Sequence, residues 1–191
     1  MRYAEGHAEA SRAHIVAAAS KALRQSGLSG LSVPALMKKA GLTHGGFYGH
    51  FSSRDELVAE AVMLGAEETA ASVLTSGAPG LEEMLGKYLS LQHVKHPEAG
   101  CVLAALGTEG RVQSSKVRKT FSKVARGFLE LVELRRKKPK PAELSDETLV
   151  VASRMIGAVM LARLVEDDAL AERILAAARV VEPATQRKGL S

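Results

Sequence analysis

Only one of the 191 residues is cysteine, none is tryptophan, and no apolar run approaches the length that spans a bilayer. A single thiol, Cys101, rules out an internal disulfide and suits a reducing compartment. The amino end, Met-Arg-Tyr-Ala-Glu-Gly-His, has no apolar h-region, so secretion is not expected and a cytoplasmic protein is. Aromatics are few (four Phe, three Tyr) and β-branched runs are scarce, whereas Ala and Leu abound. That balance argues against a β-rich fold and predicts an all-α one. The marks of catalysis are missing too: there is no Ser-His-Asp set, no phosphate-binding loop and no set of paired carboxylates. His93, His96, Glu98 and Cys101 fit no familiar metal-site spacing. Neither an enzyme, nor a metal, nor a cofactor is expected.

Acidic residues are scarce at the amino end as well. Residues 1–54 hold seven basic side chains against Glu5 and Glu9, while the rest of the chain balances 19 against 19. The whole net charge of +5 therefore lies on that segment, as binding to a polyanion by counterion release requires. A second basic run, residues 111–140, holds eleven cations against Glu130 and Glu133; it reads as a solvated helix face with a mobile loop in preference to an auxiliary DNA or anionic-ligand surface.

What is present is concentrated between Ser32 and Arg54. Val33, Leu36, Met37 and Ala40 form one apolar helical stripe; Ser32 is placed to cap it, Pro34 sits in its first turn, and Gly41 stops it. Leu42 then turns inward and Thr43 is placed to cap a second helix, anchored by Phe47 and Phe51. Its outward residues are Thr43, His44, Gly45, Tyr48 and His50, with Arg54 just beyond. A short helix, a glycine turn and a polar second helix form the helix-turn-helix pattern that enters a DNA major groove. Gly45 and Gly46 serve either close approach of backbone to DNA or tight packing against a neighbouring helix. Arg2 is either a minor-groove arm or part of a disordered terminus.

These residues resemble the N-terminal signature of TetR-type transcriptional regulators. The pattern runs through Arg12, Ile15, Ala19, Gly27, Ala40-Gly41-Leu42-Thr43, Phe47-Tyr48-Gly49-His50-Phe51, Ser53-Arg54 and Leu57. The departure is Arg54, where lysine is commoner. The resemblance implies that Tyr48, His50 and Arg54 mainly grip phosphates. It implies a double-stranded operator as partner, a DNA-binding domain over residues 1–54, and a helical effector-binding and dimerisation domain over 55–191.

About nine helices are expected, over 8–26, 33–40, 43–51, 53–75, 81–93, 99–109, 114–134, 145–164 and 168–181, with a break at 77–80 and a frayed tail after Pro183. The last two carry wide apolar arcs and small residues, which suits a four-helix bundle between two copies. The TetR resemblance implies the same homodimer. It also implies a largely apolar small-molecule effector, for which Met84, Tyr88, His93, Cys101, Phe121, Phe128 and Met155 are candidate contacts, each equally compatible with plain core. The preferred reading is a repressor released from DNA by that effector; an activator has the same sequence features. Alternatives are a thiol-based redox or electrophile sensor using Cys101, a helical enzyme, or a protein-interaction module with an incidental basic head. The apolar run Gly-Cys-Val-Leu-Ala-Ala-Leu suits an inert Cys101 as well as a sensor.

Overall fold

The computed structural model describes residues 2–74, 80–136 and 143–180, apart from the side chains of residues 2–7, 44, 73 and 74. The expected break at 77–79, most of the basic 135–141 loop, the Arg2 side chain and the tail after Pro183 lie outside it. Among the described residues there are ten α-helices, two short 3₁₀ turns and no strand. The fold is all-α, as the composition predicts.

The head is built from α1 (Arg2–Ser26), α2 (Val33–Lys39) and α3 (Phe47–His50). Ser32 caps α2 by accepting from Ala35 N, and Ala40 closes it. Gly41 then takes φ +73°, so that Leu42 N reaches Met37 O and Gly41 N reaches Lys38 O. This pair of bonds is the Schellman stop, which needs the left-handed residue that only glycine adopts without strain. The second helix differs from the expectation of one element over 43–51. Thr43 caps a 3₁₀ turn, His44–Gly46, and only then does α3 begin. Two consecutive glycines, each about 1 kcal/mol worse than alanine in a helix, account for the slow start.

The body follows with α4 (Arg54–Leu74), α5 (Leu81–Tyr88), α6 (Leu91–Lys95), α7 (Val102–Gly110), α8 (Ser115–Leu134), α9 (Asp146–Leu164) and α10 (Asp168–Arg179). Ten helices replace the expected nine because the stretch 81–93 breaks at Leu89-Ser90. Ser90 caps a new helix by accepting from His93 N, and the freed Leu89 carbonyl is taken by Arg179 at the end of α10. Helix α7 starts later than expected, after a 3₁₀ turn Pro97–Ala99 and extended Gly100. A Cβ on Gly100 would lie 2.5 Å from the His93 ring, so this crossing admits only glycine.

One core runs through head and body: α1 packs along α4, α4 along α8, and α9 on α10. Long-range polar bonds reinforce it. Arg24, buried to 3 % exposure in α1, donates to the Gly100 carbonyl and pairs with Glu68 of α4. Glu109 of α7 accepts from Leu28 N at 2.9 Å, just past α1. Among the described residues no helix is long and apolar enough to cross a membrane.

Candidate nucleic-acid interface and body cavity

The helix-turn-helix face is held from behind by Arg12 of α1. Its guanidinium pairs with Glu56 (3.2 Å) and Glu60 of α4, donates through Nε to the His50 carbonyl at 3.1 Å, and lies 4.6 Å from the centre of the Phe51 ring. Phe47 and Phe51, both buried, stack at 5.4 Å beneath α3. Ser53 caps α4 by accepting from Glu56 N, while the Glu56 carboxylate reaches back to Ser52 N at 2.7 Å. These bonds from Ser52 hold the Glu56 carboxyl below its usual range. The short helix is thereby fixed at both ends.

On this frame Tyr48 stands 69 % exposed, its ring edge-on to Phe47 at 5.3 Å. Thr43 and Gly45 are exposed and His50 is half-buried. The His44 side chain is outside the described atoms. Chain neighbours aside, no described atom lies within 4 Å of a Cβ built on Gly45, so packing against the described residues gives no reason for glycine there. Arg54 donates to the Leu28 carbonyl, the same residue whose N–H is bound by Glu109, and so ties α4 to the turn after α1. Lys38 and Lys39 are exposed at the end of α2.

In the body, α4, α5, α7 and α8 enclose a cavity of about 390 Å³ with a mostly apolar wall. Of the residues expected to contact an effector, Met84, Tyr88, Cys101 and Phe128 line it. Phe121 and Met155 do not: Phe121 is buried against Gly110, and Met155 is fully buried in α9. His93 faces a separate, smaller cleft of about 210 Å³, which shares Tyr88 and Thr69 with the cavity. The charged residues of the cavity wall, Glu67, Lys123 and Glu130, are all exposed, which places them at the mouth.

His93 is itself a connector. Its Nε2 accepts from Cys101 N at 2.8 Å, so Nδ1 carries the proton and donates to the Tyr88 carbonyl at 2.7 Å. Burial, aided by the nearby Arg163 cation, pushes its pKa down to about 4. Cys101 is 3 % exposed and precedes α7. Sequence reasoning missed Arg24, Thr69 and Glu109, whose partners lie 31 to 81 residues away. An arginine beside the apolar stripe of α1 was the available signal for the first.

Residues 15–61 match the family model described as bacterial regulatory proteins, tetR family. No curated protein matches the chain significantly. Among solved structures, a TetR transcriptional regulator from Chloroflexus aurantiacus J-10-FL is 22% identical, with a TM-score of 0.73 over 94% of this chain and 95% of its own. The reduced form of Escherichia coli NemR is 21% identical, with a TM-score of 0.71 over 92% and 99%. The multidrug binding protein EbrR, complexed with imidazole, is 20% identical, with a TM-score of 0.58 over 91% and 97%. Residues 15–61 thus carry the N-terminal domain of the tetR family of bacterial regulatory proteins, and the chain as a whole has the all-helical fold of these solved structures.

Proposed function

We propose that the chain is a one-component transcriptional repressor that grips a palindromic operator as a homodimer and lets go when a small apolar molecule fills the body cavity. The observation that carries the DNA reading is the 69 % exposed Tyr48, raised on a short helix beside the buried Phe47 and Phe51. Thr43, His44, Gly45, Tyr48 and His50 are the proposed contacts, with the open space at Gly45 serving close approach to DNA. Arg54 supports the reading from the side: its bond to Leu28 orients the start of α4, and its remaining donors are available to a phosphate.

The dimer reading is supported by exposed apolar side chains on α9 and α10. Val150, Leu161 and Leu164 of α9 and Leu170 of α10 stand in solvent, and a twin pair of helices would cover them. Release follows by population shift: an effector that fits a conformer with displaced heads lowers operator affinity. The route is short, because Gly100, one residue before the cavity wall, holds both Arg24 of α1 and Thr69 of α4 by its carbonyl at 3.1 Å. EbrR, described as a multidrug binding protein, shares the fold, which favours a small-molecule effector here too.

Selection of bound sequences from random DNA tests the reading. It should recover a two-fold-symmetric site, and Tyr48→Ala should weaken binding about tenfold or more with the thermal midpoint unchanged. Failure to enrich any sequence, or full affinity in Tyr48→Ala, would overturn it.

The position of Cys101 in the cavity wall favours a second reading, in which an entering electrophile is captured by the thiol. Cys101→Ser should then abolish the response of DNA binding to N-ethylmaleimide. A variant that keeps the full response removes this reading.

A further inference from the structure

The Tyr88 hydroxyl is the one buried phenol of the body, and it is left without a hydrogen bond. Its ring is 2 % exposed and held in place on two sides, edge-on to His93 at 4.6 Å and tilted against Phe128 at 5.7 Å. Its backbone carbonyl is also fixed, by His93 Nδ1. The hydroxyl therefore cannot swing away to find water. Cys101 is its near neighbour in the cavity wall and acts on the phenol through its thiol, a weak hydrogen-bond partner that leaves the hydroxyl open to a stronger acceptor. Burial and then Cys101 push the phenol pKa well above its ordinary value, so the group is a neutral O–H donor.

Buried polar groups in folded proteins are nearly always bonded, and an exception that borders a cavity calls for a reason. The charged side chains of the wall are all at the mouth, with two carboxylates against one lysine, and Arg163, the cation near Tyr88, lies outside the wall and donates to the Val94 and His93 carbonyls, so no cation of the wall itself meets an anion at the inner end. A buried ammonium would have no carboxylate there either. What fits is a neutral acceptor on an apolar body.

We propose that the Tyr88–Cys101 end of the cavity is a recognition subsite for an uncharged, mostly apolar ligand bearing one carbonyl-type oxygen, which takes the hydrogen bond of the Tyr88 hydroxyl. This rests on the cavity being the effector site, and it adds the chemical class of the effector. Tyr88 is then the residue that selects a ketone, ester or amide over a hydrocarbon of the same shape.

The test uses the full chain and two near-isosteric probes, 2-acetylnaphthalene and 2-isopropenylnaphthalene, which differ in one C=O against C=CH₂. By titration calorimetry the ketone should bind the wild type about tenfold tighter than the alkene, the worth of one recovered hydrogen bond. In Tyr88→Phe the two should bind equally, with the alkene affinity unchanged. The thermal midpoint of that variant should not fall, because an unsatisfied hydroxyl has been removed. Equal affinities in the wild type, or a ketone preference that survives in Tyr88→Phe, overturn the subsite while leaving the effector cavity standing. If neither probe binds, the cavity reading and the subsite fall together.

Discussion

Glu133→Ala should lower the stability of the protein by about 3–5 kcal/mol, as removal of one partner from a buried ionic network does. Glu133 is 1 % exposed at the end of α8. Its Oε2 accepts from Ser145 N (3.3 Å), Ser145 Oγ (2.9 Å) and Thr148 Oγ1 (2.5 Å), and its Oε1 from Arg136 at 3.3 Å. Alanine leaves the fully buried Thr148 hydroxyl and the Arg136 cation without that acceptor, beside an empty site. Because a whole domain is stable by only about 5–15 kcal/mol, this single change approaches global unfolding at 37 °C. Glu133→Gln keeps the shape and one acceptor oxygen and should lose clearly less. Urea denaturation of the three proteins checks the order; a loss below about 1 kcal/mol for alanine would show that the network is dispensable.

Acidification from pH 7 to pH 4.5 should cost the fold up to about 3 kcal/mol through His93 alone. Its folded pKa is about 4, against 6.5 for a free imidazole. Between those values the unfolded chain binds a proton that the native one refuses, so stability falls with pH. The contribution is complete above about 6.5 and gone below about 4. Protonation would also take Nε2 away from Cys101 N, the bond that fixes the cavity wall. Glu56 and Glu98, whose carboxyls are held below their usual range, act with the same sign but only as pH falls through the carboxylate range. His93→Gln should therefore be weaker at pH 7 and show a shallower slope from pH 6.5 to 5. A wild-type stability that is flat over that range would contradict this account of His93.

The helix-turn-helix was legible because each of its signals is local. Ser32, Gly41 and Thr43 act on bonds three to five residues away, and Phe47 and Phe51 meet at one helical turn. The extra helix boundary was not legible, since the apolar stripe from Leu81 continues through Leu89 to Leu91 as if unbroken. Ser90 caps the new helix locally, but the carbonyl freed at Leu89 finds its partner only in Arg179, ninety residues on. The cavity was legible only in part, for the same reason. Tyr88 and Cys101 stand out by type in an apolar run, but Phe121 and Met155 look no different from Phe128 and Met84 until helices α7, α8 and α9 are packed. The couplings of Arg24 to Gly100 and Glu109 to Leu28 join residues 76 and 81 apart, which no periodicity encodes.

The most direct test of the central claim is a salt titration of the full chain on the duplex recovered by selection. A head that binds DNA through phosphates and base edges predicts a steep linear fall of log K with log salt, about 10³–10⁵ in affinity from 50 to 200 mM if six to ten phosphates are neutralised. Affinity that is absent at low salt, or that ignores salt altogether, would contradict it.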